Sequence, residues 1–526
     1  MQLSHIFPKG SSRFSEHVHE ARLRINARTI VTAFILFALF ITLFAAIQFA
    51  TPGLAGNDGY YHIKMAYLIR QEGLTPVFDM LPHTILNEQA FYDHHLLYHV
   101  YLALFAAIDP AVDGGLQLTQ GAKIASVILP ALAFVAVWWL LRAQQVPWPA
   151  LWALALFAAS EAFLYRMSMP RAQAASLLIL VLGLHWLLSG RYILLLPLGF
   201  LYVWAYNAFP LLLLLAGVYV VANLMLTRRF VWQALFFPTA GILLGLVINP
   251  YFPQNVSFIA GHLLPKVGES ATKVGNEWTP YRTWTLVENS GPALAAVVLG
   301  SLALGWRKTR IERQTLVAFG LAILFGFMMF KSRRFVEYFP PFALIFLAFS
   351  AAPILNEWRI YWQERRIVRN RPYLNALLPL AALLLLAYPL LTSLRDARDL
   401  MDNSKPATRY AAAMLWLNDN SEPGSKIFQT DWDDFTRLFF YYSEAVYTAG
   451  LDPTFMELQD KPLFDLWVDI TRGKIETPGD PIRGQFAAQF VFTDTKHSDF
   501  LKRAADDPDL REIYRDEEAV IFSVAN

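Results

Sequence analysis

The chain is predicted to fold as a polytopic α-helical membrane protein of about 11 to 13 transmembrane helices, with a small C-terminal α/β domain outside the membrane. Three observations lead there. Of 526 residues, 56% are hydrophobic and only 16% are charged, a composition foreign to soluble domains. About eleven apolar runs, most near the length that crosses a bilayer core of about 30 Å, recur before residue 393. From Arg395 onward the composition turns to mixed charge with short β-like runs.

The first 28 residues carry Lys9, Arg13, Arg22, Arg24 and Arg28 and precede an apolar run of roughly 22 residues, Thr29 to Ala50. That run is longer than the core of a cleaved signal peptide, about 7–15 residues, so it reads as a retained anchor with the N-terminus cytoplasmic. Further runs lie at about 122–141, 149–165, 172–188, 192–207, 209–226, 231–248, 291–306, 314–330, 335–353 and 374–392. The segment HLLYHVYLALFAAI, 95–108, is short and holds two histidines, so it reads as a buried or interfacial helix that does not cross.

With that segment left out, Arg142, Arg191, Arg228, Arg229, the run Arg307 to Arg313 and the run Trp358 to Arg371 all fall on the cytoplasmic side. The reading is then a cytoplasmic N-terminal segment at 1–28, a transmembrane domain at 29–392 and a periplasmic or extracytoplasmic α/β domain at 393–526. External loops at 51–121 and 249–290 belong to the middle part. This places the protein in a cytoplasmic (inner) membrane, crossed many times.

Lys and Arg number 44 and Asp and Glu 42, a net charge of +2, which excludes a generally basic nucleic-acid binder. The absence of cysteine excludes disulfides, thiolate metal sites and cysteine nucleophiles. The unusual polar residues collect at the external ends of the spans, whereas a transporter would more often place them near the bilayer midplane. That distribution points to chemistry at the outer membrane surface on something carried in the lipid.

Gly56 to Gly73, GNDGYYHIKMAYLIRQEG, follows the first span directly and resembles the first external loop of oligosaccharyltransferase catalytic subunits, members of the GT-C class of membrane glycosyltransferases. Asp58, Tyr61, His62 and Lys64 stand where that family keeps an Asp in a D-x-x-Y-H-x-R type context. The alternative on residue grounds is a loop carboxylate that caps the helix beginning near Gly59. Thr285-Leu286-Val287-Glu288, at the end of the second long external loop, resembles the family's T-I-x-E signature, although T-x-x-E is also a capping box.

Lys331 to Pro341, KSRRFVEYFPP, lies where the family keeps an arginine against the donor pyrophosphate. Guanidinium groups match phosphate oxygens with paired hydrogen bonds, so Arg333 and Arg334 suit that role; the alternative is an interfacial snorkelling cluster. Trp432-Asp433-Asp434-Phe435 keeps only the Trp-Asp pair of the family's W-W-D-Y-G acceptor region.

The resemblance implies transfer of a sugar or oligosaccharide from a polyprenyl-(pyro)phosphate donor to an extracytoplasmic protein or glycan acceptor. It implies Asp58 as general base or metal ligand, Glu288 as a catalytic residue holding the acceptor, and Arg333, Arg334, Arg166 and Arg171 as donor-phosphate ligands. Trp432, Asp433 and Tyr61 fall on the acceptor side. The partners expected are the polyprenyl-linked donor, membrane lipid and the acceptor, with no nucleic acid.

The family's second external loop carries an acidic pair as metal ligands, whereas Tyr165 to Arg171 keeps arginine and lacks the acids. Asp93, His94 and His95, in the same loop as Asp58, are the replacement donors for a divalent cation such as Mn or Mg, or else the protein works without one. Adjacent residues face different sides of a helix, so at most two of these three can converge on an ion. A polyprenyl-lipid or glycolipid transporter or flippase, and a non-catalytic GT-C-like assembly component, are the alternative functions.

Overall fold

The computed structural model describes residues 26–267, 276–307, 310–365 and 371–525; the N-terminal cations Lys9 to Arg24 and parts of two basic runs lie outside the described residues. Helix α1, Ala27–Gln48, begins where the Asn26 side chain accepts the Thr29 amide at 2.9 Å, satisfying one of the free N–H groups of the first turn. At 22 residues it is about 33 Å long, enough to cross. It buries Phe40 and Phe44 against Phe134 and Phe157, and turns Ile30, Phe34 and Ile35 outward as a lipid-facing side would be.

Seven described helices are long and apolar enough to cross a membrane, or eight with one bent pair counted as a span. The chain is therefore a multi-pass membrane protein by architecture. Three shorter apolar helices, Gln173–Leu188, Tyr192–Ala205 and Gln233–Val247, occupy the remaining apolar runs. The last two pack closely because Gly241 lacks a Cβ that would stand 2.0 Å from the Leu196 carbonyl. The segment 95–108 forms only an eight-residue helix α3, Leu96–Ala103, too short to cross, as its length predicts.

Two expectations of extent are corrected. The run 149–165 is not one straight helix: Pro149–Ala158 and Glu161–Ser168 meet at 92°. Ser160 causes the break, with an extended backbone and a hydroxyl that accepts the Phe163 amide at 3.1 Å and so starts a new helix. The run 291–306 begins earlier, in helix Thr283–Trp306, so Glu288 lies inside a helix and not in the loop before it. That helix is interrupted at Ser290, next to Pro292.

The last apolar run continues as one helix, Leu377–Asp402, ten residues past the boundary that composition suggests. Beyond it a five-stranded sheet has the order β2-β1-β3-β5-β4, where β1 is Lys426–Gln429, β2 Val446–Tyr447, β3 Phe490–Asp494, β4 Leu510–Arg515 and β5 Ala519–Val524. β1 runs parallel to β2 and β3, while β5 is antiparallel to β3 and β4. β1, β3 and β5 match the apolar runs KIFQT, AQFVFTD and AVIFSV; β2 and β4 are too short or too polar to stand out.

The C-terminal domain is fixed to helix α2, Asp58–Glu72. Phe440 packs edge-on to Tyr60 at 5.2 Å, and Tyr61 packs on Phe439 at 5.7 Å. Arg437, 1% exposed, lies over the Tyr60 ring and donates to Asn57 Oδ1 at 3.0 Å and to the Pro406 carbonyl at 2.6 Å. A buried guanidinium with this many acceptors leaves the junction between loop and domain little freedom.

Candidate active site

A cavity of about 480 Å³ opens where the long segment after α1, the Asn276–Trp278 turn, the Arg333–Glu337 turn and the C-terminal domain meet. Its walls include Asp58, Tyr61, His62, Arg171, Arg334 and Trp432. These come from segments of the sequence that were predicted to share one face.

Asp58 is the first residue of α2 and 37% exposed on its side chain. Its Oδ2 accepts from Arg171 Nη2. Gly59 makes that approach feasible: a Cβ there would stand 2.5 Å from Pro170 Cγ, so only glycine lets α2 press against the turn that carries Arg171. The helix begins at Asp58 itself with no side-chain cap, so the carboxylate does not cap α2 and is spent on Arg171 at the cavity wall. Lys64 faces away and pairs with Asp109 at 2.8 Å.

The four arginines named from sequence separate into two pairs. Arg171 and Arg334 line the cavity. Arg334 donates to the Tyr206 hydroxyl at 2.5 Å and lies 5.0 Å from the Trp278 ring centroid. Arg166 stands behind the wall, donating from Nε to Glu337 Oε1 at 2.8 Å and meeting Glu277 Oε1 at 3.0 Å. Arg333 is turned onto loop backbone, with Nε to the Pro280 carbonyl at 3.2 Å and its guanidinium 5.2 Å from the Tyr281 ring centroid.

Glu277 and Glu337 carry roles that no sequence pattern assigned. Glu277 Oε1 accepts from Arg171 Nη1 at 2.8 Å as well as facing Arg166. Burial alone would raise its pKa, but Arg171, Arg166 and Arg334 outweigh that and hold it well below the usual range. Glu337 is fully buried beside Arg166. The signal available in the sequence was a lone acid in the apolar stretch FVEYFPP, which a buried position tolerates only with a cation nearby.

The proposed metal donors do not form a shell. Asp93, 2% exposed, is off the cavity and accepts from His99 Nδ1 at 2.7 Å, while His99 Nε2 meets His62 Nδ1 at 2.8 Å. His94 and His95 reach the cavity, stacked on Phe258 and Tyr206 respectively. Burial and neighbouring histidines keep His62 and His95 well below their ordinary pKa. Asp58 is already paired with a guanidinium, and among the described residues no three His, Asp or Glu groups are placed to hold an ion. This donor set does not fit a divalent cation.

On the domain side, Trp432 and Asp433 form a tight turn after β1, capped by Asp431 Oδ1 accepting the Asp433 amide at 3.0 Å. Both line the cavity. Asp433 Oδ2 accepts from Asn57 Nδ2 at 2.5 Å, so the residue before Asp58 joins the loop to the domain. Burial raises the Asp433 pKa, partly offset by Lys405. Glu288 is exposed and off the cavity, so the T-x-x-E position does not place a carboxylate in this arrangement.

No protein-family model and no curated protein sequence matches the chain. Solved structures do. The apo oligosaccharyltransferase of Archaeoglobus fulgidus gives a TM-score of 0.65 at 12% identity, over 94% of this chain and 74% of that one. The archaeal oligosaccharyltransferase AglB from the same organism, in complex with an inhibitory peptide and a dolichol-phosphate, gives 0.61 at 13%, over 91% and 71%. ArnT from Cupriavidus metallidurans bound to undecaprenyl phosphate gives 0.55 at 14%, over 95% and 98%. The chain shares the overall fold of these structures.

Proposed function

Taking that shared fold as premise, we propose that the chain is a membrane glycosyltransferase of the GT-C class that moves a sugar or oligosaccharide from a polyprenyl-(pyro)phosphate carrier to an acceptor outside the cytoplasm. The observation that carries this reading is one cavity where two arginines, a carboxylate and the Trp-Asp turn of the C-terminal domain converge. In the reaction, an acceptor nucleophile bonds to the anomeric carbon while the bond from that carbon to the phosphate oxygen breaks. The electron pair leaves with the phosphate, and Arg171 and Arg334 stabilise that growing charge. Asp58, on the same wall, takes the proton from the nucleophile. Trp432 and Asp433 hold the acceptor, with Tyr61 beside them.

Two structures of similar fold were solved with a dolichol-phosphate and an undecaprenyl phosphate, which supports a polyprenyl carrier. The near end-to-end match with ArnT favours a monophosphate carrier as the narrower form of the reading. The test is transfer by the purified full-length protein from polyprenyl-phosphate-linked sugar donors, read as release of polyprenyl phosphate. Asp58→Ala and Arg334→Ala are expected to lose about 10²–10³-fold in rate, the usual effect of removing one group that meets transition-state charge. Undiminished release by Asp58→Ala, in protein that still folds, would remove its proposed role.

A further inference from the structure

We infer that the carboxylate of Glu277 sits in the seat of the donor phosphate, and that the donor binds by displacing it. This rests on the polyprenyl-phosphate reading above and adds the identity of the group that must leave.

Glu277 is where the Arg166 and Arg171 guanidiniums meet. Its Oε1 is 3.0 Å from Arg166 Nη1 and 2.8 Å from Arg171 Nη1, and its Oε2 accepts from Arg166 Nη2 at 3.2 Å. Carboxylate and phosphate oxygens present the same acceptors to a guanidinium, so a group held this way marks a place where phosphate would also be held.

Charge counting gives the exchange its direction. Arg166, Arg171 and Arg334 stand with Asp58, Glu277 and Glu337, three cations with three anions. As long as all three carboxylates remain, the cluster is neutral and offers an incoming phosphate no net attraction. Withdrawal of one carboxylate leaves a positive seat.

Of the three, Glu277 is the one free to go. Glu337 is fully buried and locked on Arg166. Asp58 belongs to the rigid start of α2, pressed against Pro170. Glu277 is 30% exposed on the cavity wall and sits in a three-residue turn, Asn276–Trp278, held through backbone by Ser332 Oγ donating to the Glu277 carbonyl at 2.9 Å. Its side chain can rotate into the cavity without breaking that backbone tie, and Arg166 keeps Glu337 as partner when it does.

The experiment is equilibrium binding of undecaprenyl phosphate to the full-length protein in nanodiscs, for wild type, Glu277→Gln, Glu277→Ala and Glu277→Asp, with inorganic phosphate as a parallel probe. If the carboxylate holds the seat for most of the time, removing its charge tightens apparent binding by about tenfold or more, because the competent fraction no longer limits affinity. Glu277→Gln and Glu277→Ala are expected to bind more tightly and Glu277→Asp as wild type. Tightening for the lipid alone assigns the seat to a lipid headgroup; tightening for inorganic phosphate as well assigns it to phosphate as such. If wild type binds the lipid and both neutral variants bind it equally or more weakly, Glu277 builds the arginine site instead of occupying it, and the inference falls alone. If neither wild type nor any variant binds the lipid, the donor assignment falls and the inference falls with it.

Discussion

Arg166 and Glu337 are a buried ion pair one layer behind the cavity, and they give the sharpest test of how the site is held. Glu337 is fully buried and Arg166 is 10% exposed on its side chain. Arg166→Met leaves the Glu337 carboxylate in the interior without its guanidinium, while its Oε2 has no hydrogen bond even in the native protein. Stranding a buried charge this way costs about 3–5 kcal/mol. Glu337→Gln is milder, because the amide oxygen can still accept from Arg166 and Arg166 keeps Glu277 at 3.0 Å; weakening a hydrogen bond to a charged group costs up to about 1.5–3 kcal/mol. The double variant strands no charge, so its cost is expected to fall short of the sum by a coupling of about 0.5–3 kcal/mol. Thermal unfolding of detergent-purified protein should therefore rank wild type above Glu337→Gln, and Glu337→Gln above Arg166→Met. The double variant should melt no lower than Arg166→Met. An Arg166→Met protein that melts with wild type, or single effects that simply add, would refute the pairing as a structural support of the site.

Two further outcomes follow from the geometry. Gly59→Ala places a Cβ 2.5 Å from Pro170 Cγ, so α2 must move away from the turn bearing Arg171; stability should drop by about 1–3 kcal/mol and donor turnover should fall with it, read by melting and by release of polyprenyl phosphate. Asp434 is buried in the C-terminal domain near the Asp431 carboxylate, with Tyr410 donating to it at 3.2 Å, and burial first, then Asp431, raises its pKa to about 7. The folded state then holds a proton that the unfolded chain releases near about 4, so this contribution to stability is complete below about 4 and lost as pH rises to about 7. Melting temperatures taken from pH 5 to 8 should fall less steeply for Asp434→Asn than for wild type; equal slopes would show that Asp434 does not titrate in this window.

Much of the fold was legible in the sequence because lipid leaves few choices. A backbone in hydrocarbon must satisfy its own hydrogen bonds, so each crossing needs a long apolar helix, and the described apolar helices fall on the runs read from sequence. Where a helix breaks is not legible in the same way: Ser160 starts a new helix and Ser290 interrupts one, and neither alters the hydropathy enough to reveal it. The same limit explains Asp93. Sequence placed it beside His94 and His95 as a ligand trio, whereas its carboxylate finds His99, six residues further along, and leaves the cavity.

Asp58 and the Trp432-Asp433 pair could be found from the chain alone, because each sits in a short motif at the start of an element. The separation of the arginines could not. Arg333 and Arg334 are adjacent and chemically alike, and only packing turns one onto loop carbonyls and the other into the cavity. The sequence by itself marked the apolar helices, the C-terminal α/β segment and two short motifs that reach the cavity, since those follow from hydrophobic length, composition and local pattern. Tertiary structure alone decided that Arg166 meets Glu337 across 171 residues and Arg171 meets Glu277 across 106. Ion pairing depends on distance in space, which no local periodicity of the chain encodes.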